Sequence, residues 1–327
     1  MSGPQEVTSF NKSSFSNETG NCDPVNNWSH IFFTPVLSLV FLVGLVFNSF
    51  TMTFYFCQAQ QRPSSSLTVY LKNLMAADFL LCLSLPIRIA NYASSSATIH
   101  LLYCSFGASA LFLNMYASIL FMGYIAANRY LKIVHPLETH ILQTVRAAHI
   151  ISGVTWVSFL IPAIVYIILF FMAQNMTSES IHCDSQVSLL DKIIHLSATT
   201  IFLLVLVFLV FFYYSTSRRV LLAQQKEIAA SSSRKLVKSR RNILVLVSVF
   251  CVCFVPYHLS RILYMLQVNC SVVQMLYYLK EVTTVVSVLN ICLDPLVYFF
   301  LSKAFRAQVK KTMLSRKKRV DTQQVQG

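Results

Sequence analysis

The chain has 327 residues, of which 55% are hydrophobic and only 12% charged, and its mean hydropathy is +0.60. A soluble domain carries about 25% charged residues, so this composition excludes a water-soluble globule, and its apolar excess excludes a disordered chain. The net charge of +14 would suit nucleic acid only if the 26 Lys and Arg residues formed one surface patch. They are segregated instead, with eight between residues 218 and 241 and eight between 303 and 319, so we expect no nucleic-acid partner.

The chain opens with a polar tail that lacks the basic start of a cleaved signal peptide. Seven apolar stretches follow, each with the roughly 20 residues that a helix needs to cross a bilayer. They are residues 31–57, 67–93, 101–133, 146–172, 189–216, 238–266 and 274–301. The sequence therefore predicts an all-α protein with a tail (1–30), a membrane domain (31–302) and a C-terminal region (303–327).

The Lys and Arg residues also predict the orientation of the chain. With the N-terminus outside, 21 of them face the cytoplasm and two, Lys12 and Lys192, face the exterior. Cytoplasmic loops carry an excess of Lys and Arg, so we expect an extracellular N-terminus. Five glycosylation sequons then fall outside, at Asn11, Asn17, Asn27, Asn175 and Asn269.

This topology sorts the nine cysteines. Four of them, Cys22, Cys104, Cys183 and Cys270, lie outside, where the oxidising environment permits disulfides. We expect a Cys104–Cys183 bond between the third span and the loop after the fourth, and a Cys22–Cys270 bond between the tail and the loop after the sixth. The five cysteines within the spans are expected to be small buried hydrophobes.

Three classes of membrane protein remain: receptor, transporter and enzyme. A transporter of the inverted-repeat type should have matching halves, but no internal repeat is visible. A metal-dependent hydrolase needs a spacing such as His-Glu-x-x-His, which the eight His residues do not form. Ionisable side chains at membrane depth are costly and therefore indicate function. Here they are Asp78, Arg88, Arg261, Lys280, Glu281 and Asp294.

Short motifs in order along the spans carry a family resemblance. They are Asn48, Leu74-Met-Ala-Ala-Asp78, Cys104, Asn128-Arg129-Tyr130, Trp156, Cys253-Phe254-Val-Pro256 and Asp294-Pro295-Leu-Val-Tyr298. This set resembles the rhodopsin-like G-protein-coupled receptors. The resemblance implies a seven-transmembrane helix bundle in the plasma membrane, without enzymatic activity, and with a heterotrimeric G protein and arrestin as inner partners.

The same resemblance implies a short amphipathic eighth helix. Phe305 and Val309 recur at a spacing of four among Lys and Arg residues, as expected for a helix in contact with anionic membrane lipids. A merely basic, disordered tail is the alternative.

In this family the Asp of the second helix binds an allosteric sodium ion. The matching positions here are Asp78, Asn114, Ser118, Asn290 and Asp294, and all can offer oxygen to a hard cation. Two carboxylates that face one cavity repel each other, so either a cation neutralises them or one of them holds a proton. A polar network that only packs the helices together is the alternative.

The activation switch that the resemblance implies departs from the family at one position. The family usually has Asp or Glu before the Arg of the third span, whereas this chain has Asn128, so we predict a weaker resting state and some basal signalling. Phe254 replaces a more common Trp next to the Pro256 hinge. The full predicted set is Asn128, Arg129, Tyr130, Tyr213, Phe254, Pro256, Pro295 and Tyr298.

Two outer motifs, residues 254–261 and Lys280-Glu281-Val-Thr, resemble the purinergic nucleotide receptors for ADP and UDP-sugars. An Arg fork binds phosphate through parallel hydrogen bonds and a Lys adds a point charge, so these residues suit a small anionic extracellular ligand. The predicted ligand-binding residues are Arg88, Phe112, Tyr116, Tyr257, His258, Arg261, Tyr277, Lys280 and Glu281. The resemblance favours an inhibitory G protein.

Other interpretations of the outer residues stay open. Arg261 and Lys280 could only extend to the membrane interface, Lys280 could pair with Glu281, and His258 could be an ordinary core histidine. Phe112 stands where the nucleotide receptors tend to have Tyr, which makes the pocket more apolar. A lysophospholipid or a lipid like platelet-activating factor would also fit, although receptors for such lipids usually lack the Lys-Glu pair.

Overall fold

The computed structural model describes residues 29–57, 65–94, 96–134, 140–176, 189–225, 230–266, 270–302, 305–307 and 309–311. Within these ranges, seven helices are long and apolar enough to cross a membrane. They are α1 (Ser29–Cys57), α2 (Ser66–Ala93), α3 (Ala97–Val134), α4 (Val145–Met176), α5 (Leu189–Gln225), α6 (Ala230–Leu266) and α7, which has two segments (Cys270–Val288 and Asn290–Leu301). The predicted all-α bundle of seven spans is confirmed.

The predicted eighth helix is also present. Residues 305–307 and 309–311 are helical, and Phe305 is buried against α1, with its ring centroid 5.2 Å from that of Phe54. On the same short helix, Arg306 is half-buried and Lys310 is exposed. One side of the helix is therefore apolar and buried while its other side is basic.

Helices α5 and α6 extend beyond their predicted ends. The prediction ended the fifth span at residue 216 and began the sixth at 238, whereas α5 continues to Gln225 and α6 starts at Ala230. Hydropathy marks the part of a helix that lies in lipid, but a polar helix can continue past it where its residues have good helix propensity. Helix α3 likewise starts at Ala97 rather than 101, and it contains a π-helical segment, Tyr103–Gly107.

The bundle places polar side chains inside and apolar ones outside. Leu196 and Val207 on α5 are 69% and 65% exposed, whereas Asn48, Asp78 and Asn290 are fully buried. Lipid is as apolar as these exposed side chains, so polar groups gain more from one another in the interior than at the outer surface. Helix α3 packs against α2, α4, α5 and α6, and α7 closes the bundle against α1 and α6.

A proline explains one close contact between α1 and α7. Pro295 has no N–H to donate to the carbonyl oxygen of Ile291 four residues earlier. Asn48 Nδ2 donates to that carbonyl instead, at 3.0 Å. A Cβ atom at Gly44 would lie 2.5 Å from Ile291 Cδ1, so glycine permits the close approach of the two helices.

Candidate functional site

Three side chains from two helices bind one carboxylate near one end of the bundle, which we call the outer end because the sequence predicts that it faces the exterior. Arg88 Nη2 lies 3.3 Å from Glu281 Oε2 and Lys280 Nζ lies 3.6 Å from Glu281 Oε1. The Tyr92 hydroxyl donates to Glu281 Oε2 and accepts from Arg88 Nη2 at 3.2 Å. Two cations therefore share the Glu281 carboxylate in this Arg88–Glu281–Lys280 cluster.

Tyrosine rings lie against both cations. The centroid of the Tyr103 ring is 5.6 Å from Arg88 Cζ, and Lys280 Nζ is 4.8 Å from the centroid of Tyr277 and 5.0 Å from that of Tyr264. The face of an aromatic ring attracts a cation, most strongly where water is excluded. The rings therefore stabilise the positive charges of Arg88 and Lys280.

The π-helical segment of α3 supplies one of these rings. Tyr103 is its first residue and Gly107 its last. A Cβ atom at Gly107 would lie 2.7 Å from Tyr103 Cδ2, so a larger residue there would displace the ring. Such π-helical turns are frequent at functional sites, and this one directs the Tyr103 ring toward Arg88.

Arg88 keeps hydrogen-bonding capacity that the protein does not use. The residue is 4% exposed, and its Nε and Nη1 atoms have no hydrogen-bond partner among the described residues. A buried donor without an acceptor is costly. The predicted candidates Arg88, Lys280 and Glu281 are thus brought together with buried donors available for a further anionic group.

His258 is fixed by two hydrogen bonds deeper in the bundle. Its Nδ1 lies 2.8 Å from the Phe254 carbonyl oxygen, which can only accept, so Nδ1 carries the hydrogen. In the neutral ring Nε2 then accepts from the Tyr116 hydroxyl at 3.1 Å. Phe202 stacks on the imidazole with a centroid distance of 3.8 Å. Both ring nitrogens of His258 are therefore hydrogen-bonded within the bundle.

The other predicted pocket residues lie on α3 and α6. Arg261 is partly buried and its Nη2 lies 2.5 Å from Nε2 of His195 on α5. Tyr257 is 8% exposed, and the ring centroids of Phe112 and Tyr116 are 4.5 Å apart. The structure thus places Arg261 between α5 and α6, while Arg88 and Lys280 lie between α2 and α7.

The five predicted sodium ligands are all buried in the core, and Asp78 and Asp294 are close enough to interact directly. The Tyr298 hydroxyl donates to Asp78 Oδ2 at 2.9 Å. Several other atoms have no hydrogen-bond partner among the described residues: Asp78 Oδ1, Ser118 Oγ, Asn290 Oδ1 and both carboxylate oxygens of Asp294. Buried acceptors need a donor or a cation, so this set of oxygen atoms fits a hard cation.

The two polar residues at the inner end of α3 bind different elements. Arg129 Nη2 donates to the carbonyl oxygen of Leu301, the last residue of α7, at 2.7 Å. Asn128 Nδ2 donates to Ser66 Oγ on α2 at 2.9 Å and to the Leu142 carbonyl oxygen at 3.0 Å. The last carbonyl groups of a helix lack intrahelical donors and carry partial negative charge, so α7 supplies Arg129 with an acceptor.

The aromatic switch candidates lie on α3, α5 and α6. Tyr130 stacks on Phe212 at a centroid distance of 4.8 Å. The next residue on α5, Tyr213, is half-buried. Phe254 is fully buried, two residues before Pro256, and packs on Phe250 at 5.5 Å. Tyr130 thus packs across α3 and α5, whereas the contact between Phe250 and Phe254 lies within α6.

Several predicted residues lie outside the description. Cys22, Cys183, Asn11, Asn17, Asn27 and Asn269 are outside the described residues, as is the side chain of Cys270. Cys104 is disulfide-bonded, whereas Cys82, Cys251, Cys253 and Cys292 are free. The partner of Cys104 lies outside the described side chains, so both disulfide pairings stay predictions. Asn175 falls in the last turn of α4.

Sequence reasoning missed four residues of the outer site: Tyr92, Tyr103, His195 and Tyr264. Tyr92 carried a usable signal, since it follows Arg88 by four residues and therefore shares its helix face. Tyr264 follows Arg261 by three residues on α6. No sequence signal identifies Tyr103 or His195, because their contacts depend on the π-helical segment and on the rotation of α5.

The comparisons with known proteins agree with this geometry. Residues 47–298 match the model of the 7 transmembrane receptor (rhodopsin family). Three similar proteins are purinoceptor 14 of Bos taurus (32% identity; 84% of this chain and 83% of the relative), G-protein coupled receptor 171 of Homo sapiens (31%; 87% and 90%) and Lysophosphatidic acid receptor 6 of Mus musculus (30%; 90% and 88%). The chain therefore belongs to the rhodopsin family and is a multi-pass G-protein-coupled receptor of the plasma membrane, not an enzyme.

Proposed function

We propose that this receptor binds a small phosphate-bearing ligand from the exterior, most consistently a nucleotide or nucleotide-sugar, and signals through an inhibitory G protein. The observation that carries the proposal is the state of Arg88, which is 4% exposed and has two nitrogens without a hydrogen-bond partner among the described residues. A phosphate has several acceptor oxygens, so it would supply the acceptors that the protein lacks there.

The charged side chains at the outer end suit an anion better than a neutral ligand. Arg88 and Lys280 lie beside Glu281, and Arg261 lies on the adjacent helix α6. Cationic side chains of this kind bind phosphate through charge-assisted hydrogen bonds. An anionic ligand would gain these interactions, while an uncharged ligand would not.

The aromatic residues support a nucleotide base as the second part of the ligand. Phe112 and Tyr116 form one contact pair, and Tyr277 lies beside Lys280. Every base has a π-face that can stack on such rings. The similar bovine protein purinoceptor 14, whose name refers to purines, is 32% identical to this chain.

A lysophospholipid is the second candidate ligand, and one observation favours it. The Tyr116 hydroxyl is already bonded to His258, and Phe112 and Phe159 lie beside its ring, so this region offers an acyl chain an apolar surface. Another similar protein is named Lysophosphatidic acid receptor 6. Both candidates carry phosphate and would use the same cations.

The test is a G-protein dissociation assay in cells with matched ligand pairs. ADP is compared with adenosine, UDP-glucose with uridine, and lysophosphatidic acid with monoacylglycerol. We expect a response only to a phosphate-bearing member of one pair. Equal responses to both members of that pair would refute the phosphate proposal, and a response restricted to the lipid pair would establish the second candidate.

Arg261 variants separate charge from shape. Arg261→Gln removes the charge, whereas Arg261→Lys keeps it and removes the planar fork. We expect Arg261→Gln to reduce ligand potency at least tenfold and Arg261→Lys to recover part of that loss, at equal surface expression. Unchanged potency in Arg261→Gln would refute the role of this residue.

We also propose an allosteric sodium ion held by Asp78, Asn114, Ser118, Asn290 and Asp294. The ion would supply positive charge between two carboxylates. Unchanged agonist affinity when sodium is replaced by N-methylglucamine would refute it. The extracellular, glycosylated N-terminus and the arrestin partner are further proposals, which sequon removal followed by a gel-shift assay and arrestin recruitment to the stimulated receptor would test.

A further inference from the structure

An apolar cavity lies on the lipid-facing side of α2, far from the outer cluster. It has a volume of about 340 Å³ and is lined by Met52 of α1, Trp156 of α4 and Lys72, Ala76, Phe79 and Leu80 of α2. Ala76 and Leu80 are exposed, so the cavity opens toward the membrane. Its lining is apolar except for Lys72.

Lys72 is unusual among the cations of the spans. It is partly buried, and it has no hydrogen bond or ion pair among the residues that the structure describes. The acidic residues whose side chains are described, Asp78, Glu281 and Asp294, are all buried in the interior of the bundle. The positive charge on the cavity wall therefore lacks a protein counter-charge in the described part of the chain.

The depth of the cavity matches one leaflet. Lys72 is six residues beyond the start of α2, about 9 Å along the helix axis, and its side chain tilts back toward that start. Phe79 and Leu80 lie about 10–12 Å further into the membrane on the same helix. A long Lys side chain can reach the headgroup level while the cavity beyond it stays apolar.

Trp156 is held as a rigid wall of the cavity. Its Nε1 donates to Asn73 Oδ1 at 2.8 Å, and its ring lies 6.0 Å from that of Phe121. The indole N–H is thus used within the protein, so the ring presents an apolar surface to the cavity. The cavity is near the lower limit of about 300 Å³ for ligand pockets, which suits one acyl chain rather than a whole lipid.

We propose that this cavity is a binding site for an anionic glycerophospholipid of the inner leaflet, with the headgroup at Lys72 and one acyl chain between Met52, Leu80 and Trp156. Complementary charge carries the choice of occupant: the inner leaflet is rich in anionic lipids, and Lys72 is the cation beside an apolar slot. The site is separate from the proposed extracellular ligand site and does not depend on it.

Trp156 makes the proposal directly testable, because the chain has only two tryptophans. In a Trp28→Phe variant, Trp156 is the sole tryptophan and reports on its own surroundings. This variant is placed in phosphatidylcholine bilayers that contain a fixed fraction of a brominated lipid. The brominated lipid is either phosphatidylserine or phosphatidylcholine, with bromine on one acyl chain. Bromine quenches tryptophan fluorescence only at short range, so quenching measures which lipid occupies the cavity.

We expect about a fivefold enrichment of brominated phosphatidylserine over brominated phosphatidylcholine at Trp156, the preference that one lysine near an anionic surface contributes. Lys72→Gln should remove this preference. Arg146→Gln is the matched control, because it removes one exposed positive charge from the first turn of α4 outside the cavity, and it should retain the preference. Ala76→Phe should fill the slot and reduce quenching by both lipids.

Three results would overturn the proposal. Equal quenching by the two lipids would show that the charge of the headgroup is not recognised. An equal loss of preference in Lys72→Gln and Arg146→Gln would show a general surface potential instead of a site. Cholesterol could also abolish the quenching by brominated phosphatidylserine, with Lys72→Gln having no effect on that loss. This result would identify a sterol as the occupant.

Discussion

The contact between Arg88 and Glu281 gives the sharpest prediction about how the outer site is held. We consider Arg88→Met, Glu281→Gln and the double variant. Arg88→Met leaves the Glu281 carboxylate with Lys280 and Tyr92, whereas Glu281→Gln leaves two cations close to a neutral amide. Both single changes therefore break a buried ion cluster.

The magnitude follows from the distances. At 3.3 Å and an effective dielectric constant of about 20, the gross Coulomb attraction between Arg88 and Glu281 is about 5 kcal/mol. Desolvation offsets much of this, but removal of one partner of a buried pair costs about 3–5 kcal/mol because a charge remains uncompensated. The double variant removes both charges, so we expect it to lose about 2 kcal/mol less than the sum of the single losses.

The assay uses thiols that only unfolding exposes. Cys82 and Cys253 are free and fully buried, so a thiol-reactive fluorophore reports thermal unfolding of the purified receptor in detergent. Arg88→Met combined with Asn128→Ala, at the other end of the bundle, is the additive control. If the stability losses of Arg88→Met and Glu281→Gln also add up in the double variant, the two charges do not stabilise each other.

Three further outcomes follow from single contacts. Tyr298→Phe removes the hydroxyl that donates to Asp78, so it should lower stability by about 1–3 kcal/mol in the same thiol assay; an unchanged midpoint would contradict this role. Gly107→Ala places a Cβ atom against the Tyr103 ring and should weaken agonist potency without loss of surface expression. Wild-type potency in this variant would show that ligand binding does not depend on the position of the Tyr103 ring. Asn128 provides no negative charge beside Arg129, so the receptor should signal above an empty-vector control without ligand. Asn128→Asp should reduce that basal signal. A basal signal at the control level would count against this account of the resting state.

The sequence predicted many of the residues of the outer site but not the contacts between them. Arg88, Lys280 and Glu281 were recognisable because an ionisable side chain at membrane depth is costly. A contact between the neighbours Lys280 and Glu281 was one of the alternatives left open, and it is present. The contact of Arg88 with Glu281 was not foreseen, since the two residues are 193 positions apart in the chain. The hydrogen bonds of His258 to Tyr116 and to the Phe254 carbonyl oxygen were likewise not readable from composition.

The seven spans were readable from the sequence because the bilayer acts on each segment separately. A helix of about 20 apolar residues can span the bilayer regardless of which helices pack beside it. The tertiary structure decided which side chains meet: the rotation of α5 that brings His195 to Arg261, the π-helical segment that brings Tyr103 to Arg88, and the contact of Arg129 with the end of α7. These contacts depend on how helices pack against one another, which the sequence of a single helix does not determine.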